Sequence, residues 1–408
     1  MISIVEQVLA FVLLITVLVA AHELGHYAFA RWFGMGVEEF AIGFGPKPLF
    51  TWMRKKRQLK LSSTDRERLA KHSGLPVSEI EETHEDNTVY TVRPILVGGF
   101  VRIKGMIPQE DGGEVFIPCG FYSKPIWQRI VVLAAGPIFS ILAGVLLLFI
   151  TFSQYGILQP PPAIIKDVTA GGPAQLAGVK VGDKITTVNG EPIKDAGELA
   201  QKVSEQGAKT IALGIERSGF VNLVVRVTPS VNAPIPPSVP ADQAAYLRTR
   251  PRIAVQFEEA TIVKPSFGTA IAAAFTSPID ELSGVVQMFT HLNEAKDNVG
   301  GPVAIYGVTK QAVNQGFDRV LLLAGRLSIS LGFLNILPVL PFLDGGQIVI
   351  ALVEWARRGR RLSIETQSSI MLAGMIMGVA LLCFVTYNDL QRNLSRGSEA
   401  PAINQPKK

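Results

Sequence analysis

The chain has 408 residues, of which 48% are hydrophobic and 18% charged, with a formal net charge of +5. That composition is too apolar for an ordinary soluble enzyme yet includes long polar stretches, so it points to a polytopic membrane protein with an extramembrane domain. Two cysteines in distant segments, Cys119 and Cys383, exclude a disulfide framework and a cysteine-based zinc site.

Four apolar runs are candidates for spanning a bilayer: about Ile4–Phe33, Ile130–Phe152, Leu327–Val353 and Ile370–Tyr387. The first opens with Met1–Gln7, which holds no Lys or Arg but carries Glu6. The positive region of a cleaved signal peptide is therefore absent, and the run reads as a retained helix. Inside it stands His22-Glu23-Leu24-Gly25-His26. Histidines four apart share one helix face, so both imidazoles can reach one metal while Glu23 stands beside them to handle a proton. This is the H-E-x-x-H arrangement of zinc peptidases. An ionisable group in an apolar span costs roughly 3 kcal/mol unless it is partnered, so three within five residues need a shared reason, and a metal supplies one.

Residues 54–71 hold eight basic residues against two acids, and Arg357, Arg358, Arg360 and Arg361 crowd the loop after the third run. Both loops read as cytoplasmic. No aromatic interleaving or nucleic-acid motif accompanies the charge, so no nucleic-acid partner is expected. Ala163–Thr228 balances eight basic residues against seven acids and belongs on the far side, as do both termini. Glu38–Phe50 and Val89–Lys104 carry extended, Gly-punctuated patterns, either as plain loops or as an edge that takes an unwound peptide as an added strand.

Within the outer domain, Lys184–Val188 reads as a strand ending in an Asn189-Gly190 turn, Asp195–Gln206 as a helix and Val221–Val227 as a closing strand. Asn232–Pro240 is a stiff, Pro-rich linker. Gly268–His291 and Pro302–Val313 mix apolar and polar residues at helical spacing, as helices lying flat on the outer membrane surface or packed in the core.

A catalytic zinc takes three protein ligands and leaves one position for water. His72, His84 and His291 lie in polar, charged neighbourhoods and read as solvated. Asp344 is the only acid of the third run, where a lone carboxylate would be uncompensated, so it is the candidate third ligand. The stretch Asn335–Gly346 holds Pro338, Pro341, Gly345 and Gly346, the pattern of a broken helix. Irregular backbone at membrane depth is tolerated only where protein or water satisfies it. Taken without the first motif, this stretch fits a transporter's unwound helix with an ion-binding aspartate.

His22-Glu23-Leu24-Gly25-His26 together with Leu343-Asp344-Gly345 resembles the site-2 protease family of intramembrane zinc metalloproteases. The resemblance continues through Gly98-Gly99-Phe100-Val101-Arg102, Trp127-Gln128-Arg129 leading to Ala135-Gly136-Pro137, Gly301-Pro302-Val303-Ala304-Ile305, Leu327–Gly332 with Asn335, and Asn388-Asp389-Leu390. These segments are similar to the bacterial regulator-of-sigma-E protease type. Gly172-Pro173-Ala174, Ala177-Gly178-Val179, Gly182–Ile185 and Val188-Asn189-Gly190 resemble a bacterial PDZ domain, which takes an extended peptide as an added strand and often captures its terminal carboxylate. Three positions depart from the family pattern: Ser140 where Asn is usual, Gln347 where His often follows Asp-Gly-Gly, and one more residue between Pro338 and Pro341.

The expected fold is a polytopic α-helical membrane protein of about four transmembrane helices with an inserted α+β, PDZ-like extracytoplasmic domain. Its expected parts are residues 1–162 (membrane part with a membrane-associated β-loop), 163–229 (PDZ-like), 230–326 (linker and surface helices), 327–390 (membrane part) and a polar tail, 391–408. The expected activity is cleavage of peptide bonds in or near transmembrane segments, with Zn2+ on His22, His26 and Asp344, Glu23 as proton carrier and Asn335 positioning substrate. By resemblance, membrane-tethered anti-sigma factors or leftover signal peptides are the expected substrates, in the inner membrane with the site near the cytoplasmic side. Other expected partners are membrane lipid and a peptide or carboxyl terminus at the PDZ domain. A silent PDZ-bearing scaffold and a metal-dependent transporter are the rival readings, and Glu23, suited to proton transfer rather than ligation, argues against the transporter.

Overall fold

The structure is a computed structural model that describes residues 3–53, 56–73, 75–106, 117–217, 220–236, 250–290, 301–338 and 340–398, with isolated positions between 239 and 248. Among the described residues, four helices are long and apolar enough to cross a membrane: α1 (Ile4–Trp32), α3 (Ile126–Tyr155), a helix over Phe317–Ile336 and a span at Glu365–Gln391. The chain is a polytopic membrane protein with an inserted β-rich region.

Two compact units emerge: Met1–Ser153 with Phe267–Lys408, and Gln154–Ser266. In the first, α1 begins on a Ser3 and Glu6 capping box, which satisfies N–H groups that a helix start leaves unpaired. After it come β1 (Val37–Phe44), β2 (Phe50–Met53), β3 (Arg57–Lys60), α2 (Ser63–Ser73), β4 (Thr83–Asp86), β5 (Val89–Val92) and β6 (Ile95–Ile103). Four of these strands form a sheet in the order β2-β5-β1-β6. Strand β1 runs parallel to β5 and antiparallel to β6, pairing Phe40 with Val101 and Ala41 with Phe100. The extended segments expected at Glu38–Phe50 and Val89–Lys104 therefore form one sheet. The charged insert between them folds as α2 and the β3–β4 hairpin, and residues 54, 55 and 74 fall outside the described residues.

Among the described residues, the C-terminal stretch of this unit holds five helices, which follow the inserted unit in the chain. That unit comprises β7 (Ile157–Gln159), β8 (Ile165–Val168), α4 (Pro173–Leu176), β9 (Lys184–Val188), β10 (Glu191–Pro192), α5 (Ala196–Glu205), β11 (Ile211–Arg217), β12 (Phe220–Val227), β13 (Val255–Phe257) and β14 (Thr261–Val263). Back in the first unit follow α6 (Phe267–Thr290), α7 (Pro302–Gln315), α8 (Phe317–Ile336), α9 (Asp344–Ala356) and α10 (Ile364–Ser398). His291 lies outside the described residues, as do 292–300.

The third apolar run differs from the expected Leu327–Val353. The spanning helix α8 starts ten residues earlier, stops at Ile336, and the chain resumes as a separate 13-residue helix, α9, at Asp344. Pro338 and Pro341 lie in the gap; neither has an N–H, so the helical ladder cannot run through them. Helix α10 runs on into the expected polar tail, as far as Ser398. Helices α3 and α8 approach closely at Gly144, where a Cβ would meet Ile329 and the Gly325 carbonyl oxygen 2.6 Å away. Small residues at such crossings let the backbones of membrane helices touch.

Inside the Gln154–Ser266 unit, a sheet in the order β10-β9-β11-β12 packs over a core including Ile185, Val188, Leu199, Val203, Ile211 and Leu213. The Asn189-Gly190 turn has positive φ at both residues, 52° and 86°, as a tight hairpin turn requires. This unit is wider than the expected 163–229. Strand β13 arrives from beyond the Pro-rich stretch, pairs antiparallel with β8, and brings Ile253, Val255 and Phe257 to the same core. Those residues complete a core that the segment ending at 229 leaves open.

Candidate active site

Helix α1 places His22 and His26 on one buried face, one turn apart. Their Nε2 atoms lie 3.2 Å from each other. Asp344, first residue of α9, reaches the same point: Oδ2 is 3.0 Å from His22 Nε2 and Oδ1 is 3.3 Å from His26 Nε2. A carboxylate from more than three hundred residues downstream thus joins the two imidazoles. Among the described residues, these three side chains form a group whose ligand atoms all lie within 4.8 Å of one another.

The donor set fits a zinc ion. Tetrahedral coordination at about 2.0–2.1 Å puts ligand atoms about 3.3 Å apart, close to all three separations seen. The tautomers fit as well. Nδ1 of His26 lies 2.8 Å from the Val132 carbonyl oxygen, which can only accept, so Nδ1 carries the proton and Nε2 keeps its lone pair for the shared point. His22 Nδ1 meets Ser140 Oγ at 3.0 Å. The hydroxyl of Ser140 therefore supplies a partner at the position where the sequence departs from the family's asparagine.

Helix α3 makes room for these rings at Gly136, where a Cβ would collide with Nε2 of both histidines. Ahead of Asp344, Gln347 Nε2 donates to the Pro341 carbonyl at 2.7 Å and braces the turn. The second departure is thus turned away from the donors and toward the loop. Residue 339, in the segment with the extra position, lies outside the described residues.

Glu23 stands beside the donors but is not one of them. Its Oε2 accepts a hydrogen bond of 2.9 Å from the backbone N–H of Val101 on β6. Among the described strands, β6 ends the sheet with β1 as its neighbour, so that N–H faces away from β1 along the sheet's outer edge. Asn335, in the last turn of α8, has Nδ2 3.5 Å from both ring nitrogens of His22. A cavity of about 280 Å³ joins these groups, lined by His22, Glu23, His26, Asn335 and Asp344 together with Phe100, Val101, Met106 and Phe342. The five residues singled out in the sequence line one cavity. Gly136 and Ser140 stand in the sequence only as positions of the family pattern, and Val132 carries no signal there; an apolar helix does not show locally which side chains it holds.

A sequence profile of peptidase family M50 matches residues 10–63 and 68–381. The regulator of sigma-W protease RasP of Bacillus subtilis is 28% identical over 440 aligned positions, covering 95% of this chain and 99% of that protein. The zinc metalloprotease RasP of Bacillus licheniformis is 30% identical over 439 positions, with the same coverage, 95% and 99%. A match over nearly the whole chain places it in that family: the chain belongs to peptidase family M50, the site-2 protease family, and is a zinc metalloprotease of the membrane.

Proposed function

We propose that the chain hydrolyses peptide bonds within or near transmembrane segments of membrane proteins, with His22, His26 and Asp344 as zinc ligands and Glu23 as proton carrier. One observation carries this reading: two imidazoles of α1 and the carboxylate of α9 converge at 3.0–3.3 Å beside a glutamate that binds the edge strand β6. When bound there, zinc supplies Lewis acidity that polarises a carbonyl and brings the pKa of a water to about 7.

The chain's own groups do the rest. Glu23, one oxygen held by Val101 N–H, takes the proton of the attacking water on the other and delivers it to the departing amine. A helical substrate hides its carbonyls in its own hydrogen bonds, so it unwinds before cleavage. The β6 edge holds the unwound stretch as an added strand, and Asn335 donates to it across the cavity.

The finer reading places the site toward the cytoplasmic side, because the basic loops at 54–71 and 357–361 flank the membrane part. The Gln154–Ser266 unit and both termini then face outward. That unit is read as a PDZ-like module whose two-stranded β8–β13 sheet offers an edge to a peptide or carboxyl terminus. A membrane-tethered anti-sigma factor is a suitable substrate class, in keeping with the relative named as a regulator of sigma-W protease; leftover signal peptides are another.

The test is purification in detergent, zinc analysis and cleavage of a membrane-spanning substrate. Glu23→Gln is expected to keep its zinc and lose roughly 10²–10⁴-fold in rate. Cleavage by Glu23→Gln as fast as by the parent contradicts the mechanism.

A further inference from the structure

One stripe of α3 frames the two histidines. Val132, Gly136 and Ser140 follow at intervals of four and Arg129 stands three before Val132, so all four share a helix face. Val132 and Ser140 hold His26 and His22 by their Nδ1 atoms, and Gly136 leaves space for both rings. The same face ends in Arg129, whose two terminal nitrogens bind the two oxygens of Glu354 at 2.9 and 2.7 Å. Glu354 lies in the last turn of α9, the helix whose first residue is Asp344. One rigid helix therefore grips both histidines directly and the aspartate's helix by its far end.

Both charges are buried, Arg129 to 3% and Glu354 to 6% exposure. Burying an ion pair is costly, and an apolar pair would hold two helices together as well. What the bidentate fork adds is geometry, because it fixes the rotation and the axial position of its partner. Much of helix α9 turns outward, at Val349, Leu352, Val353 and Trp355, while Ile348 packs on the core around Val132 and Leu133 and Ala351 is buried. Gly345 and Gly346 lie against the backbone of Ile336–Pro341 at the near end, and the ion pair is the polar hold at the other. Around it, Arg361 Nε comes within 3.7 Å of Glu354 Oε1 and Arg361 donates to the Tyr122 carbonyl at 2.6 Å.

We propose that Arg129 and Glu354 are positioning residues for the metal site, locking α9 against α3 so that the Asp344 carboxylate meets Nε2 of His22 and His26. This rests on the reading that those three side chains hold the zinc. Outer partners of metal ligands typically contribute 10–100-fold in metal affinity.

The experiment measures zinc affinity by chelator competition, and the visible spectrum of the cobalt-substituted protein, for the parent, Glu354→Gln, Asp344→Asn and the exchanged pair Arg129→Glu with Glu354→Arg. The expected results are at least tenfold weaker zinc binding and a shifted cobalt spectrum for Glu354→Gln, with recovery to within threefold in the exchanged pair. Parent-like affinity and spectrum in Glu354→Gln, even with lowered thermal stability, overturn the proposal. Should Glu354→Gln fail to fold, the exchanged pair decides: recovered affinity supports the positioning role and a tenfold loss overturns it. If Asp344→Asn itself binds zinc like the parent, the ligand assignment falls. If Asp344→Asn loses zinc while Glu354→Gln keeps it, the positioning role alone falls.

Discussion

Glu23 and Val101 are joined by a hydrogen bond of 2.9 Å, from the backbone N–H of a sheet-edge residue to the carboxylate of the H-E-x-x-H helix. The contact does two things at once. It engages one carboxylate oxygen and leaves the other for the proposed proton transfer, and it sets the edge of β6 beside the cavity lined by His22, His26 and Asp344.

Replacing Val101 with proline removes that N–H while keeping an edge position where proline is tolerated. The expected outcome is unchanged zinc content with kcat lowered about tenfold or more, since a proton carrier loses its orientation. Rates of cleavage by Val101→Pro and parent, at matched zinc loading, check this, and equal rates contradict it.

Gly136→Ala separates the metal site from the fold. In a helix interior, alanine is favoured over glycine by about 1 kcal/mol, so α3 itself gains. The new methyl collides with Nε2 of both histidines, however. Zinc affinity is expected to fall at least about tenfold, as the ligating atoms lose their common point. Chelator titration with thermal unfolding checks both halves, and parent-like zinc binding contradicts the geometry.

The inserted unit has its own pH dependence. Burial alone would push the Asp183 carboxyl up, but Arg217 binds it with two nitrogens at 2.7 Å each and the Lys180 N–H donates at 2.8 Å. These outweigh burial and hold Asp183 below the usual carboxylate range. A carboxyl depressed in the folded state stabilises above its unfolded pKa, about 3.9, and that contribution is lost as pH falls through the folded value. Asp183→Asn is therefore expected to destabilise this unit by roughly 2 kcal/mol at pH 7, with the difference shrinking below pH 4. Amide exchange of β9 and β11 in parent and variant measures it; equal exchange at pH 7 contradicts it.

The sequence shows the proposed ligands more readily than the scaffold around them. His22 and His26 are legible because their spacing is a helix turn, and Asp344 because it is the lone acid in an apolar run. Val132 leaves no such trace, and Arg129 and Ser140 show only as positions of the family pattern, without their partners. Their partners lie more than a hundred residues away in sequence, and no local periodicity encodes a tertiary contact. The same limit explains Asp389, which accepts from the Gly301 and Ala304 N–H groups and caps α7 from a distant helix. The prolines show the break between α8 and α9, but apolar content alone does not show that α8 starts at Phe317, since its first turns mix polar and apolar residues. Likewise, the Pro-rich stretch after 229 looked like a boundary because the pairing of β13 with β8 spans almost ninety positions.

The central claim is that residues from opposite ends of the chain close on one zinc. X-ray absorption at the zinc edge of the purified, zinc-loaded protein tests it most directly. Two imidazole nitrogens at about 2.0–2.1 Å, with oxygen donors completing the shell, are the expected result. A sulfur scatterer at about 2.3 Å, or an unaltered shell in Asp344→Asn, contradicts it.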